Sequence, residues 1–381
     1  MFQLFAVTLP GLETYARQEL TKLEIEAPED LDLRGEPMEE SGGVAFEASF
    51  TDLFRANLNL RTVNRVLARL GEFHASAFSE LRKKASRLTW ESYIQPGQDV
   101  SLRVTCHKSR LLHTTGIAER VAGAIHDRLG VEPHLVKFDE SNEFSSQLIL
   151  VRIVDDICTI SLDTSGALLH RRGYRLETGK APLRETLAAG IIMAAGWEPT
   201  VPLVDPFCGS GTIAIEAALM ALGIPPGLQR DFAFMKWPCF DKHKWEGVLA
   251  HAQKAKKTTF PSILASDRDA GVIQMATNNA QRAGVLKNIQ FTVQAFSKVE
   301  PGNEKGWLIA NPPYGRRVDS NRDLRDLYAG LGNVLRKRFS GWQAGILCNS
   351  VALIGQMKME MVNSIPLFNG GIPVRFYLVS I

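Results

Sequence analysis

The sequence predicts a doubly wound, mostly parallel α/β domain that is preceded by two smaller α+β units. The chain has 381 residues, which exceeds the roughly 250 to 300 residues at which single cores stop growing. Beyond residue 166, short apolar strands alternate with helix-like segments, as in open parallel sheets covered by helices on both faces. The earlier part is richer in alternating strand patterns. We therefore expect domains at 1–60, 61–165 and 166–381.

The first unit is predicted as strand, helix and strand. "QLFAVTL" alternates as a strand does, and Pro10 and Gly11 end it. The following stretch, 12–23, repeats apolar residues at helical spacing, and "GGVAFEA" forms a second strand. An acidic loop over 26–41 separates these parts.

The second unit is predicted to contain two helices and three strands. An amphipathic helix covers 77–94, "DVSLRVTCH" is a strand, and a helix over 116–130 stops at Gly130. Asp155 and Asp156 separate two further strands, which predicts a hairpin with a two-residue turn.

The third unit supplies the β/α alternation. Strands are expected at 201–205, 262–267, 289–295, 306–310, 343–349 and 374–381, with helices at 212–222, 270–284 and 323–339.

No apolar run reaches the roughly 18 residues that span a bilayer, and the N-terminus lacks the basic lead of a signal peptide. We expect a cytoplasmic protein. The five cysteines are far apart, which favours buried, reduced thiols and no metal site.

The net charge of +3 conceals an asymmetry along the chain. Residues 1–60 hold 4 basic and 12 acidic side chains, whereas 61–130 hold 12 basic and 6 acidic ones. This distribution suggests a polyanionic partner for the part after residue 60. Ordinary solvated faces are the alternative.

A glycine-containing turn follows the strand that ends at Asp205. In "VPLVDPFCGSGTIAIEAAL" the turn joins a buried strand to a helix, so backbone N–H groups face the carboxyl end of the strand. Residues 209–214 match GxGxxA, so a dinucleotide dehydrogenase is a rival. The carboxylate of Asp205 would repel a pyrophosphate and suits a ligand that carries an amino group. A second strand ends at Asp267, 62 residues on, beyond an insert that contains Trp237 and Trp245. Asp267 either accepts the ribose hydroxyls of an adenosine or caps the next helix.

"LIANPPYGRR" places four unusual residues after an apolar strand. Two prolines remove N–H donors and leave carbonyl acceptors. The oxygen of Asn311 and the carbonyl of Pro312 are suited to accept both hydrogens of a planar amino group, while Tyr314 offers a face for a heterocycle. An amino nitrogen held in this way becomes a better nucleophile for an electrophilic methyl group held at the glycine turn. A rigid turn with a packed tyrosine is the alternative.

The ordered set of motifs closely resembles the THUMP-domain RNA guanine-N2 methyltransferases, particularly the branch that acts on large-subunit ribosomal RNA. "DPFCGSGT" with "NPPYG" is similar to the S-adenosylmethionine-dependent amino-methyltransferases, and "HRRGYR", "APLRETLAAG" and "PGLQR" extend the likeness over nearly the whole chain. The resemblance implies a ferredoxin-like domain, a THUMP domain for RNA and a Rossmann-like methyltransferase domain. It also implies S-adenosylmethionine as the cofactor and structured RNA as the partner.

The resemblance assigns roles residue by residue. The methionine part of the cofactor would contact Asp205, Cys208, Gly209, Ser210, Gly211 and Thr212, and Asp267 would hold the ribose. The catalytic loop would consist of Asn311, Pro312, Pro313 and Tyr314, with Asn311 also near the cofactor. Where relatives place an aspartate against the adenine, this chain has "TVQAFSK". That role therefore falls to Gln294 and its neighbours Ala295 and Phe296.

A guanine in folded RNA must leave its stack to be methylated, so backbone contacts must offset that cost. The candidates for phosphate contacts are the basic residues Lys83, Lys84, Lys108, Arg110, Arg171, Arg172, Arg175, Lys180, Arg316 and Arg317. Transfer RNA is the rival substrate to ribosomal RNA. Adenine-N6 methylation of DNA, N5 methylation of a protein glutamine and a non-catalytic RNA-binding protein are the remaining alternatives.

Overall fold

A computed structural model describes residues 1–27, 42–139, 146–177, 183–302, 305–314 and 321–381. In the last range, side chains are described from residue 324 onward. Within these ranges the strands form two seven-stranded sheets. Arg316, Arg317 and Lys180 lie outside the described residues.

The first sheet contains the strands of the two N-terminal units, in the order β2-β1-β3-β7-β6-β4-β5. Its strands are β1 (Phe2–Thr8), β2 (Gly43–Ala48), β3 (Val63–His74), β4 (Asp99–His107), β5 (His134–Leu135), β6 (Gln147–Val154) and β7 (Ile157–Asp163). Its helices are α1 (Glu13–Lys22), α2 (Phe50–Asn59), α3 (Phe78–Ala85) and α4 (Thr114–Leu129). Strand β3 pairs with β1 on one side and with β7 on the other, so one continuous sheet crosses the boundary expected at residue 60.

Two local predictions about the second unit are confirmed and one is wrong. Gly130 ends α4 in the left-handed conformation, and Asp155 and Asp156 both have positive φ, as a two-residue hairpin turn of this type requires. The helix expected over 77–94 ends at Ala85 instead. The indole N–H of Trp90 turns back and donates to the carbonyl of Ala85 at 2.8 Å, which satisfies the helix end.

The second sheet is the doubly wound one and has the order β10-β9-β8-β11-β12-β14-β13. Its strands are β8 (Leu203–Asp205), β9 (Ile263–Asp267), β10 (Gln290–Val293), β11 (Trp307–Ala310), β12 (Gln343–Cys348), β13 (Met361–Asn369) and β14 (Ile372–Ser380). Its helices are α5 (Glu185–Ala195), α6 (Thr212–Ala221), α7 (Lys242–Lys254), α8 (Ala270–Arg282), α9 (Asn321–Arg338) and α10 (Val351–Gln356). Strands β8 to β12 pair in parallel, and the predicted closing strand β14 pairs antiparallel to β12, which confirms the predicted fold class.

The strand order reverses at β8. Strand β8 pairs with β9 on one side and with β11 on the other. At such a switch point the loops that follow adjacent strands diverge and leave a crevice at the carboxyl edge of the sheet. The glycine turn follows β8 and the NPPY loop follows β11, so the fold brings the two motifs to the same crevice.

The segment between α6 and β9 packs on the N-terminal domain rather than on its own sheet. Trp245 on α7 contacts Phe54 on α2, with ring centroids 5.7 Å apart, and Phe234 contacts Phe54 at 4.7 Å. The insert therefore joins the catalytic domain to the N-terminal core through a buried aromatic cluster.

Buried ion pairs make a second junction between the domains. Glu216 on α6 lies 3.6 Å from Arg172 and 3.8 Å from Arg61, measured between side-chain nitrogen and oxygen atoms, and Tyr174 donates to it at 3.0 Å. Arg172 also donates to the carbonyls of Leu169 and Arg61. This cluster links the N-terminal domain to the helix that follows the glycine turn.

Candidate active site

The glycine turn after β8 is shaped by its two glycines. Gly209 and Gly211 both have positive φ, a conformation that other residues adopt with strain. A Cβ on Gly211 would lie 3.0 Å from Cβ of Ala276 on α8, so this position also allows close packing of the turn against α8. The side chain of Asn279 donates to the carbonyl of Ser210 at 3.1 Å and holds the turn from behind. Thr212 begins α6, and a guanidinium nitrogen of Arg175 lies 3.5 Å from its hydroxyl.

Asp205 is fully buried at the end of β8. One of its oxygens accepts the N–H of Phe207 at 3.2 Å, whereas the other has no hydrogen-bond partner among the described residues. Burial raises the pKa of this carboxyl to about 8, with a further contribution from Asp267. Burial also holds the pKa of the neighbouring Cys208 thiol well above its usual range, so Cys208 is a neutral wall of the turn. An unpartnered buried carboxyl oxygen is suited to a ligand that brings a cationic amino group.

Replacing Asp205 with asparagine is expected to stabilise the ligand-free protein more at pH 8.5 than at pH 5. The folded-state pKa is raised above the unfolded value, so the folded state binds the extra proton, and stability falls as the pH rises from about 4 to about 8. Asparagine does not titrate, so the variant avoids this loss of unfolding free energy. For a pKa shift of this size the loss is about a few kcal/mol. Urea unfolding at the two pH values measures the difference; an equal effect at both would contradict the assignment.

Asp267 faces the glycine turn from the end of β9. Its carboxylate accepts the N–H of Gly209 at 3.3 Å and the N–H of Asp269 at 3.1 Å. Asp269, not Asp267, caps α8, since its side chain accepts from Gly271 and Val272. The capping alternative for Asp267 is therefore excluded, and its carboxylate lines the crevice.

A cavity of about 380 Å³ opens between the loops that follow β8, β9, β10 and β11. Its lining consists of Pro206, Phe207, Asp267, Arg268, Ala295, Phe296, Pro313, Leu324 and Leu327. The rings of Phe207 and Phe296 lie 5.3 Å apart in a stacked arrangement. Gln294 is not among the lining residues; its backbone N–H donates to the carbonyl of Asp267 at 2.9 Å. The cavity is thus a mostly apolar slot that carries one carboxylate and one guanidinium.

Asn311 follows β11 and brings an acceptor to this edge. Its side-chain oxygen is buried and has no hydrogen-bond partner among the described residues. Pro312 is buried, while Pro313 is half-buried and lines the cavity. The hydroxyl of Tyr328 on α9 lies 3.5 Å from the carbonyl of Pro313. The oxygen of Asn311 is therefore available to a donor that a ligand supplies.

Tyr314 is placed differently from the prediction. Its side chain is 2% exposed, and the amide of Asn369 at the end of β13 donates to its hydroxyl at 2.8 Å. The C-terminal hairpin thus anchors the phenol, and among the described residues the ring is buried rather than open to a heterocycle. The rings of Phe207 and Phe296 line the cavity instead.

Two of the predicted phosphate-binding arginines are structural. Arg172 is 2% exposed and belongs to the buried ion-pair cluster around Glu216. Arg175 lies 3.0 Å from Glu185 and donates to the carbonyl of Leu183. These protein acceptors, which sequence does not reveal, occupy the buried side chain of Arg172 and the mostly buried side chain of Arg175.

The other predicted contacts lie at the surface. Lys83, Lys108, Arg110 and Arg171 are exposed, whereas Lys84 forms an ion pair with Glu80 at 2.6 Å. The positive φ of Lys108 places it in a turn. These positions are accessible to phosphate, and their role remains a prediction.

Three basic residues with accessible positions were absent from the sequence prediction. Arg268 lines the cavity directly after Asp267. Arg103 on β4 and Arg152 on β6 are exposed. Arg152 pairs with Thr105, two residues after Arg103, so the two arginines are diagonal neighbours on adjacent strands. Arg103 also lies over the ring of Phe138 at 5.7 Å. The alternation of β4 and β6 places both arginines on one face of the sheet, which is the signal that could have identified them.

No helix in the described parts of the chain is long and apolar enough to cross a bilayer. Within the same residues, no group of three or more His, Cys, Asp or Glu side chains is arranged to hold a metal ion.

Comparisons with known proteins match all three parts of the chain. Residues 172–377 match a family model described as an RMKL-like methyltransferase domain. Residues 3–67 match an RlmL ferredoxin-like domain, and residues 75–163 match a THUMP domain.

Individual relatives cover nearly the whole chain. A putative RNA methyltransferase of Synechocystis is 36% identical over 97% of this chain and 94% of its own length. The ribosomal RNA large subunit methyltransferase K/L of Shewanella oneidensis is 34% identical over 100% of this chain and 53% of its own length, so the chain spans about half of that relative. A crystal structure of a putative methyltransferase complexed with SAH has 28% identity and a TM-score of 0.87, covering 100% of this chain and 98% of the other.

Proposed function

Because this chain belongs to the family of RMKL-like methyltransferase domains, we propose that it transfers a methyl group from S-adenosylmethionine to the exocyclic N2 of a guanine in large-subunit ribosomal RNA. One observation carries the proposal. The glycine turn and the NPPY loop follow hydrogen-bonded neighbouring strands, and each brings a buried oxygen that no described residue hydrogen-bonds, from Asp205 and from Asn311.

The residues of the crevice fit the cofactor. The oxygen of Asp205 that no described residue hydrogen-bonds suits the cationic amino group of its methionine part, and the N-terminus of α6 suits its carboxylate. Asp267 suits the ribose hydroxyls, and the slot beside Phe207 and Phe296 suits the adenine. When bound, S-adenosylmethionine supplies an electrophilic methyl group.

The protein's own contribution to the reaction is positioning and hydrogen bonding. Asn311 accepts one hydrogen of the guanine amino group through its side-chain oxygen, and the carbonyl of Pro312 accepts the other. Both bonds increase electron density on the nitrogen and fix its orientation, which are the terms that accelerate methyl transfer most. No dedicated base is required, since the methylated nitrogen releases its proton after transfer. The apolar lining of the cavity excludes water.

The THUMP domain and the exposed arginines support RNA as the substrate. Arg103 and Arg152 project from one sheet face, with Phe138 beside Arg103, and guanidinium groups next to an aromatic ring are typical of surfaces that bind RNA. The name of the K/L relative supports ribosomal RNA over transfer RNA.

Labelled methyl transfer followed by nucleoside mass spectrometry tests the substrate. The purified protein is incubated with S-adenosylmethionine and with protein-free large-subunit ribosomal RNA, bulk transfer RNA or duplex DNA. We expect N2-methylguanosine in the ribosomal RNA alone. N2-methylguanosine in transfer RNA alone would show that the substrate is transfer RNA and not ribosomal RNA. N6-methyladenine would refute guanine as the target.

Asp267→Asn is expected to raise the dissociation constant for S-adenosylhomocysteine by about 10 to 100-fold, the factor that matches loss of a hydrogen bond to a charged group. Isothermal titration calorimetry measures it without any turnover. Asp269→Asn is the matched control, because asparagine still caps α8. Equal effects of the two changes would remove Asp267 from the cofactor site.

A further inference from the structure

A long concave surface lies between the N-terminal domain and the insert helix α7. Two cavities, of about 700 and 550 Å³, share Lys22, Leu23, Asn59, Gly223 and Pro225 and therefore form one continuous depression, called the trough here. Lys244 and His251 line it on the α7 side, and Lys257 lines it at the far end.

The trough lies away from the cofactor cavity. Helix α6 begins with Thr212 at the glycine turn, and Gly223 in the trough follows the opposite end of that helix. Ten helical residues separate the two ends, which corresponds to about 15 Å. A ligand in the trough therefore does not compete with one at the glycine turn.

The rim of the trough is basic. The stretch Lys242–Lys257 contains five lysines and one glutamate. Two of the lining lysines, Lys22 and Lys257, are exposed and make no ion pair with the described residues. Glu24 is the exposed acid among the lining residues, whereas the buried carboxylate of Glu19 already accepts from Thr62 and Arg61. Free ammonium groups on a concave surface attract a polyanion.

Small and larger apolar residues both line the trough. The small ones are Gly223, Gly247, Ala252 and Ala255, and the larger ones include Leu23, Met193 and Met220. Trp245 on α7 is buried against the N-terminal core, whereas Val248, also buried, borders the trough. A helix that binds a membrane surface directs its apolar face outward, so the inward orientation of this face favours a nucleic-acid backbone over a lipid surface.

We propose that the trough binds the sugar-phosphate backbone of the RNA substrate at a position separate from the target nucleotide. This inference rests on the proposed function and deepens it, because it assigns to the insert between α6 and β9 a role in holding the RNA. Phosphate contacts fix register and orientation without reading sequence, so the trough contributes affinity and the NPPY loop selects the base.

The double variant Lys22→Glu/Lys257→Glu tests the trough. Its matched control is Lys287→Glu/Lys337→Glu, which makes the same change in charge at two exposed lysines outside the trough that have no ion pair with the described residues. Affinity for protein-free large-subunit ribosomal RNA is measured between 50 and 300 mM KCl. We expect the trough variant to bind about tenfold more weakly, with a salt slope smaller by about 1.5, which corresponds to two lost phosphate contacts.

Several outcomes would overturn the proposal. An unchanged affinity and slope in the trough variant would do so, as would an equal loss in the control, which would indicate a net-charge effect alone. Lysine-dependent binding to phosphatidylserine vesicles with unchanged RNA binding would assign the trough to a membrane instead. Failure of the proposed function is distinct, because the unchanged protein would then yield no N2-methylguanosine even if RNA binding depended on the trough.

Discussion

Replacing Asn311 with alanine is expected to lower the rate of methyl transfer at least about 100-fold, the loss typical of removing one preorganised hydrogen-bonding group from a reacting centre. The side-chain oxygen of Asn311 is buried and has no hydrogen-bond partner among the described residues, so removing this oxygen breaks no hydrogen bond that the structure shows. Single-turnover measurements with ribosomal RNA give the rate of the chemical step directly.

The dissociation constants separate catalysis from folding and binding. Affinity for S-adenosylhomocysteine and for RNA is expected to change less than about threefold in the Asn311→Ala protein, since most of the binding surface remains. Asn311→Asp is the informative companion variant, because a carboxylate keeps the acceptor but places a charge where the side-chain oxygen is buried. A single-turnover rate in Asn311→Ala close to that of the unchanged protein would refute the proposed role.

Arg172→Met is expected to lower the free energy of unfolding by about 3 to 5 kcal/mol, the cost of breaking a buried ion pair by removing one partner. Glu216 is fully buried and, among the described residues, would keep Arg61 at 3.8 Å and the hydroxyl of Tyr174. The carbonyls of Leu169 and Arg61 would lose a donor as well. Denaturant unfolding measures the change.

RNA binding by the folded Arg172→Met protein distinguishes this structural role from the phosphate contact predicted from sequence. We expect the salt dependence of RNA affinity to remain unchanged. Lys108→Met is the control, because Lys108 is exposed and its replacement should leave the melting temperature close to that of the unchanged protein. If the salt dependence of RNA affinity became smaller in Arg172→Met without a loss of stability, Arg172 would again be assigned as a phosphate contact.

The residues of the candidate site that lie at strand ends and in turns were predictable from the sequence. Strand-ending Asp205, the glycines and Asn311 occupy the positions expected, because parallel strands place their carboxyl ends at one edge of the sheet. The sequence motifs named Ala295 and Phe296, which line the cavity, but did not identify Arg268 or Phe207, since these side chains come from loops after other strands.

The sequence by itself determined the class of the fold, the order of its domains and the two motifs that meet at the switch point. These features follow from local periodicity and from glycine and proline chemistry, which act within a few residues. Only the tertiary structure decided which charges are buried, that Asn369 covers Tyr314 and that α7 packs on the N-terminal domain. Such contacts join residues far apart in the chain, and their energies depend on desolvation that no local pattern reports.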